Sequence, residues 1–107
     1  MEKRKPNYDL NKIKSLLSSE DTREVSGLSR RGAVSVGCMD AESMLSVIEK
    51  LTRKHFYKSM TVIGNSKIWQ DVYKIADEDK SLYIKVQLSA DRKKAVIVQF
   101  KEDEGGD

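Results

Sequence analysis

The 107-residue chain predicts an α+β domain. Its expected architecture is a mainly antiparallel, twisted sheet with two to three helices on one face. The sheet is built on a C-terminal four-strand meander, with room for a short N-terminal strand. Three observations predict this. Apolar residues recur at helical spacing in the first half of the chain and alternate with polar ones from Phe56 onward. The alternating segments are joined by short connections, which favours antiparallel neighbours. The length suits one domain (1–107) with a modest core and is too small for two.

The opening "MEKRKP" reads as a basic arm over residues 1–6, because Pro6 keeps the preceding residue out of helix. Lys3, Arg4 and Lys5 are most simply solvated, with phosphate contact as the alternative. "DLNKIKSLLSSE" is a helix, capped by Asp9, with Leu10, Ile13, Leu16 and Leu17 on one face. In "DTREVSGLSRRGAVSVG", "REVS" suits a short strand and Ser29 to Val36 a short helix ended by Gly37, but periodicity does not decide this stretch. "CMDAESMLSVIEKL" is a helix with Asp40 as N-cap and Met39 and Met44 at the two positions of a hydrophobic staple. Met44, Leu45, Ile48 and Leu51 form its apolar stripe.

Four strands follow. "FYKSMTVI" and "KIWQDVYKI" flank a turn at Gly64 and Asn65; "SLYIKVQLS" comes after "ADEDK", and "KAVIVQFK" after "ADRKK". Leu82, Ile84, Val86 and Leu88 point one way, and Tyr83, Lys85, Gln87 and Ser89 the other. In the last strand Val96, Val98 and Phe100 alternate with Ala95, Ile97, Gln99 and Lys101. Helices then cover one sheet face, leaving the other open, polar, basic and partly aromatic. Trp69 reads as a core or semi-core aromatic, Asp71 as a hairpin surface charge and His55 as the cap of a short turn.

Composition narrows the function. No apolar run approaches the roughly 18 residues of a membrane helix, and nothing after the basic start resembles a secretory signal. A cytoplasmic protein with no membrane partner is expected. One cysteine, Cys38, excludes an internal disulfide, and with only one histidine there is no zinc constellation. Cys38 reads as a small packed hydrophobe, and neither metal nor cofactor is expected. The net charge is +3, yet the acidic tail at 102–107 holds four acids, so residues 1–101 carry +7. A basic body favours a polyanionic partner.

The segment from Phe56 to Ile75 holds four of the seven aromatics together with three lysines. On the open face such residues suit RNA cleavage. The substrate supplies its own 2′-hydroxyl nucleophile, so the protein need only accept that proton, steady the phosphorane's charge and protonate the leaving oxygen. Tyrosine and lysine can replace the usual histidines where nearby positive charge lowers their pKa values. Tyr83 and Lys85 share a face, with Lys58 and Lys101 on neighbouring strands, and Gln70 offers an amide to a phosphoryl oxygen or base edge. Lys85, Arg92 and Lys93 are candidate phosphate contacts. Each residue also has a plain explanation, since strand tyrosines and lysines are common on a solvated face. From the residues alone, three readings stay open: an endoribonuclease, a non-catalytic RNA-binding or regulatory module, and an interaction protein that pairs through a sheet edge.

The chain resembles the MqsR family of type II toxin–antitoxin toxins. The likeness rests on "MEKRKP", "FYKSMT", "IWQDVY", "LYIKV" and "VIVQFKE", in that order, and covers nearly the whole chain except Asp21 to Gly37. It implies a RELE-like fold and a ribosome-independent messenger RNA endonuclease that prefers GC-containing sequences. It places the family's active-site residues on Lys58, Gln70, Tyr83 and Lys101, and its motif methionine on Met60. One departure is Asn7, where the family often has histidine. The resemblance further implies single-stranded mRNA as substrate and an MqsA-like antitoxin with zinc-binding and helix-turn-helix domains, through which alone DNA would be contacted. It tips the undecided middle toward a strand and then a helix.

Overall fold

A computed structural model describes residues 1–105, so Gly106 and Asp107 of the acidic tail lie outside the described residues. Three helices pack on one face of a six-stranded sheet. The strands are β1 (Glu2–Lys3), β2 (Arg23–Val25), β3 (Phe56–Val62), β4 (Asn65–Asp77), β5 (Lys80–Leu88) and β6 (Ala95–Glu102). The helices are α1 (Leu10–Leu17), α2 (Gly27–Ser35) and α3 (Ala41–Glu49). The sheet order is β1-β3-β4-β5-β6-β2, with every pair antiparallel except β2 and β6. Among the described residues, no helix is long and apolar enough to cross a membrane.

Local chemistry sets the helix starts. Asp9 accepts from the Asn11 N–H at 2.9 Å, Ser26 from Ser29 at 3.0 Å and Asp40 from Ser43 at 2.9 Å. Asp40 and Ser43 also form a capping box. α2 ends before Gly37, whose φ of +89° needs no Cβ. His55 accepts from the Thr52 N–H through Nδ1 at 2.9 Å and closes a short 3-10 turn. Of the two residues of the expected staple, Met44 is buried while Met39 is 70% exposed.

Leu82, Ile84, Val86 and Leu88 of β5 are buried beneath the helices, packed with Ile13, Leu17, Met44 and Ile48. Cys38 belongs to this core. So does Tyr73, whose phenol is pushed up to about 12, mainly by burial and then by the charge of Asp71. The alternation expected in the last strand is corrected by a bulge. Ile97 pairs with Val86 but Gln99 with Lys85, leaving Val98 as the extra residue. Ala95 and Ile97 therefore face the core before the bulge, and Phe100 faces it afterwards. Without that residue, a slip of one would turn Phe100 outward.

Three further expectations change. The N-terminal arm is an edge strand, with Glu2 opposite Met60 and Lys3 opposite Ser59. Asp71 is no surface charge: it is fully buried on the helix side of β4. Its carboxylate accepts the Asn7 N–H on both oxygens, each at 3.0 Å, and the Tyr8 N–H at 2.9 Å. The first hairpin turn falls on Ile63 and Gly64, since Asn65 already pairs with Val62.

β2 covers the edge of β6 only through Ile97, and α2 approaches the edge beyond it. Ser26 donates its hydroxyl to the Val98 carbonyl at 2.7 Å, and a Cβ on Gly32 would collide with the carbonyl of Phe100. Gly32→Ala is expected to destabilise the protein by about 1–3 kcal/mol, the usual cost of overpacking. A urea-denaturation midpoint equal to that of the parent would refute this close approach.

Candidate functional site

Directly opposed residues in an antiparallel ladder share a face, so the registers of β3 to β6 build the open face in rows. The first row is Lys74, Tyr83 and Lys101. The second is Lys58, Val72, Lys85 and Gln99. The third is Met60 and Gln70, extended by a 2.7 Å hydrogen bond that Gln70 Nε2 donates to Gln87 Oε1. Lys58, Gln70, Tyr83, Lys101, Met60 and Lys85 therefore lie on one face. They span three rows, and Gln70 stands roughly 14 Å along β4 from the Tyr83 row at about 3.4 Å per residue.

The basic part of the face is compact. A register shift between Phe56 and Lys58 leaves Tyr57 outside the ladder, and its ring lies 4.0 Å from Lys74 Nζ and 5.5 Å from Lys58 Nζ. Tyr83 has Lys101 Nζ at 5.2 Å and Lys85 Nζ at 5.9 Å from its ring centroid. Both rings thus carry cations over them. Val72, though on the open face, is fully buried between the flanking lysines of its row, which fits aliphatic stems covering it.

Acidic residues from near both chain ends reach into this cluster. Glu2 Oε2 lies 2.8 Å from Lys58 Nζ, and Lys58 is only 4% exposed. Asp103 lies 3.4 Å from Lys74 and Glu104 3.6 Å from Lys101. The Asp103 N–H also donates to the Ser81 carbonyl at 2.7 Å, fixing the start of the tail. Lys74, Tyr83, Lys101, Asp103, Glu104 and Gly105 together line a depression of about 130 Å³.

Arg92 and Lys93 are not part of this cluster. They belong to the β5–β6 loop beyond the Gln70 row, where Arg92 helps line a separate cleft and Lys93 is exposed. Asn7 lines the same cleft and accepts from Lys3 Nζ at 2.8 Å. Sequence reasoning missed Lys74, Tyr57 and the carboxylate contacts. Lys74 was within reach, since it shares the parity of Gln70 on β4. Tyr57 was not, because a bulge breaks the parity. Among the described residues, no group of three or more His, Cys, Asp or Glu is placed to hold a metal.

Burial, followed by the charges of Lys101 and Lys58, lowers the pKa of the half-buried Lys85 from its ordinary 10.5. The unfolded chain then binds more protons than the folded one between the lowered value and 10.5, so this group makes stability rise with pH across that window. Lys101→Met is expected to move the Lys85 titration upward, as read by NMR of the lysine side chains. A Lys85 curve that stays in place would separate the two amines.

Two comparisons bear on this arrangement. Residues 5–102 match the family model described as "Motility quorum-sensing regulator, toxin of MqsA". The chain is also 35% identical over 102 residues to the mRNA interferase toxin MqsR of Escherichia coli (strain K12), covering 95% of this chain and 99% of that protein. The mixed sheet with helices on one face matches an MqsR-like α+β arrangement. The chain belongs to the motility quorum-sensing regulator toxin family.

Proposed function

We propose that the open face is the active site of a metal-independent, ribosome-independent endoribonuclease, the toxin of a type II toxin–antitoxin pair. The observation that carries this reading is Tyr83 held in the ladder between Lys74 and Lys101, with Lys58 and Lys85 in the next row. The name of the Escherichia coli relative, an mRNA interferase toxin, supports RNA as the substrate. The family description supports an MqsA-like antitoxin as partner, with zinc-binding and helix-turn-helix domains as the resemblance implies. GC-containing messenger RNA is the expected target, and loss of translation and growth in the cytoplasm the consequence.

In this mechanism the 2′-oxygen attacks the adjacent phosphorus as its proton passes to a base on the face. The bond to the 5′-oxygen then breaks, and that oxygen leaves with a proton donated by the protein. The products are a 2′,3′-cyclic phosphate and a 5′-hydroxyl. Tyr83 and the lysines share the proton transfers, while the surrounding ammonium groups stabilise the phosphorane. Gln70 and Met60, one row beyond Lys58, contact the neighbouring nucleotide. The carboxylates of Asp103 and Glu104 occupy positions that RNA phosphates would take beside the same lysines.

Tyr83→Phe removes one hydroxyl and leaves the ring under its cations, so RNA affinity should hold. Single-turnover cleavage in EDTA should fall by about 10² to 10⁴. Lys58→Ala should also slow cleavage strongly, with an effect non-additive with Tyr83→Phe. Parent-like cleavage by Tyr83→Phe would remove its proton-transfer role, and binding without cutting by the parent would leave only an RNA-binding module. Replacing Asp103 by Asn and Glu104 by Gln should tighten RNA binding severalfold at low salt, with the gain shrinking as salt screens the face. Unchanged affinity at low salt would show that RNA does not meet Lys74 and Lys101.

A further inference from the structure

The ladder between β4 and β5 ends at Asp71↔Val86. One step beyond, Gln70 and Gln87 stand where the next pair would be, and their side chains take over from the backbone. Gln70 Nε2 donates to Gln87 Oε1 at 2.7 Å, and Gln87 Nε2 donates to the Leu88 carbonyl at 3.2 Å. Both glutamines are half-buried, and Gln87 shares the outward parity of Tyr83 and Lys85 on β5.

This pair of bonds has a fixed direction. A backbone carbonyl only accepts, so Gln87 turns its amino group toward Leu88 and its oxygen toward Gln70. An oxygen facing Gln70 demands a donor, so the Gln70 amide is held with Nε2 toward Gln87. Its Oε1 is left as an acceptor of set orientation. An amide without such a bridge is free to present either end.

The acceptor sits on a face of donors. It lies roughly 7 Å along β4 from the Lys58 row, at about 3.4 Å per residue. The ammonium groups of Lys58, Lys74, Lys85 and Lys101 donate and never accept, which suits phosphate oxygens. A phosphodiester carries no hydrogen at neutral pH, so it offers nothing to Gln70 Oε1. That oxygen needs a neutral donor. The side chains of its row, Met60, Gln70, Gln87 and Val96, include no aromatic ring on which a base could stack. The donor that an RNA strand presents at every nucleotide, whatever the base, is the ribose 2′-hydroxyl.

We infer that Gln70, oriented by Gln87, accepts the 2′-hydroxyl of a nucleotide next to the one that is cut, and so selects ribose where no bond breaks. The inference rests on the RNA substrate proposed above. Gln87 acts through Gln70 and is a positioning residue.

The test is equilibrium binding of two oligouridylates made of 2′-fluoro sugars, which lack the hydroxyl donor. One carries a single ribose, and the other carries that ribose with a further ribose on each side. In both strands a methylene replaces the 5′-oxygen after each ribose, so no oxygen can leave and neither strand is cut. The parent should bind the three-ribose strand about fivefold more tightly, the worth of one net hydrogen bond. The preference should be the same when the flanking bases are cytosine. Gln87→Leu should bring the two strands near parity. Gln87→Glu should keep the preference, because a carboxylate still accepts from Gln70 Nε2 and holds the same orientation. Equal binding by the parent, a preference that follows the base instead of the sugar, or one that survives Gln87→Leu overturns the inference. Cleavage of ordinary RNA is assayed alongside. A parent that shows the Gln87-dependent preference without cutting keeps the ribose contact and loses the catalytic reading, and one that cuts without the preference does the reverse.

Discussion

The carboxylate of Asp71 is the interaction on which the rest of the arrangement depends. It is fully buried in the middle of β4, and a charge there is tolerable only with good hydrogen-bond partners. It finds them in the backbone N–H groups of Asn7 and Tyr8. That anchor brings the N-terminal segment across the sheet. β1 then lies beside β3, Glu2 reaches Lys58, Lys3 covers Trp69, and the Tyr8 hydroxyl fills the gap where β4 leaves β5. α1 starts immediately afterwards at Leu10 and delivers Ile13 and Leu17 to the core.

The open face is an electrostatic compromise. Lys58, Lys74, Lys85 and Lys101 are gathered around two tyrosine rings, and like charges at such range repel. The repulsion is visible in Lys85, whose lowered pKa owes to burial first and then to two neighbouring ammonium groups. Glu2, Asp103 and Glu104 relieve it within the folded chain. An incoming phosphate chain would offer the same relief, so the charge that disfavours the isolated face is what fits it to a polyanion. Lys58 is buried where it meets the more exposed Glu2, the Lys74–Asp103 pair is partly shielded on both sides, and the Lys101–Glu104 pair lies nearest solvent.

Two irregularities shape the face. The bulge at Val98 lets β6 bury Ile97 and Phe100 while still turning Lys101 toward Tyr83. The irregularity at Tyr57 places that ring beside Lys74 instead of in the core, where Phe56 packs edge-on against Tyr73 at 5.6 Å. Both are single-residue insertions that re-aim a side chain without breaking the sheet.

The amino-acid sequence by itself determined the meander, the inward parity of β5, the caps at Asp9 and Asp40, and the open-face positions of Lys58, Gln70 and Tyr83. These follow from period-two and helical patterns and from short connections, which are local and readable along the chain. Tertiary structure alone decided that Asp71 is buried, that the basic arm is a strand, that β2 runs parallel to β6, and that Met39 stays exposed beside a buried Met44. It also decided that Lys74 meets Tyr83 and that Arg92 belongs to a different cleft. Each depends on which distant backbone group satisfies a buried charge, or on where one extra residue shifts the register. A repeating pattern carries neither, because the partner lies dozens of residues away and one inserted residue leaves composition and local propensity almost unchanged.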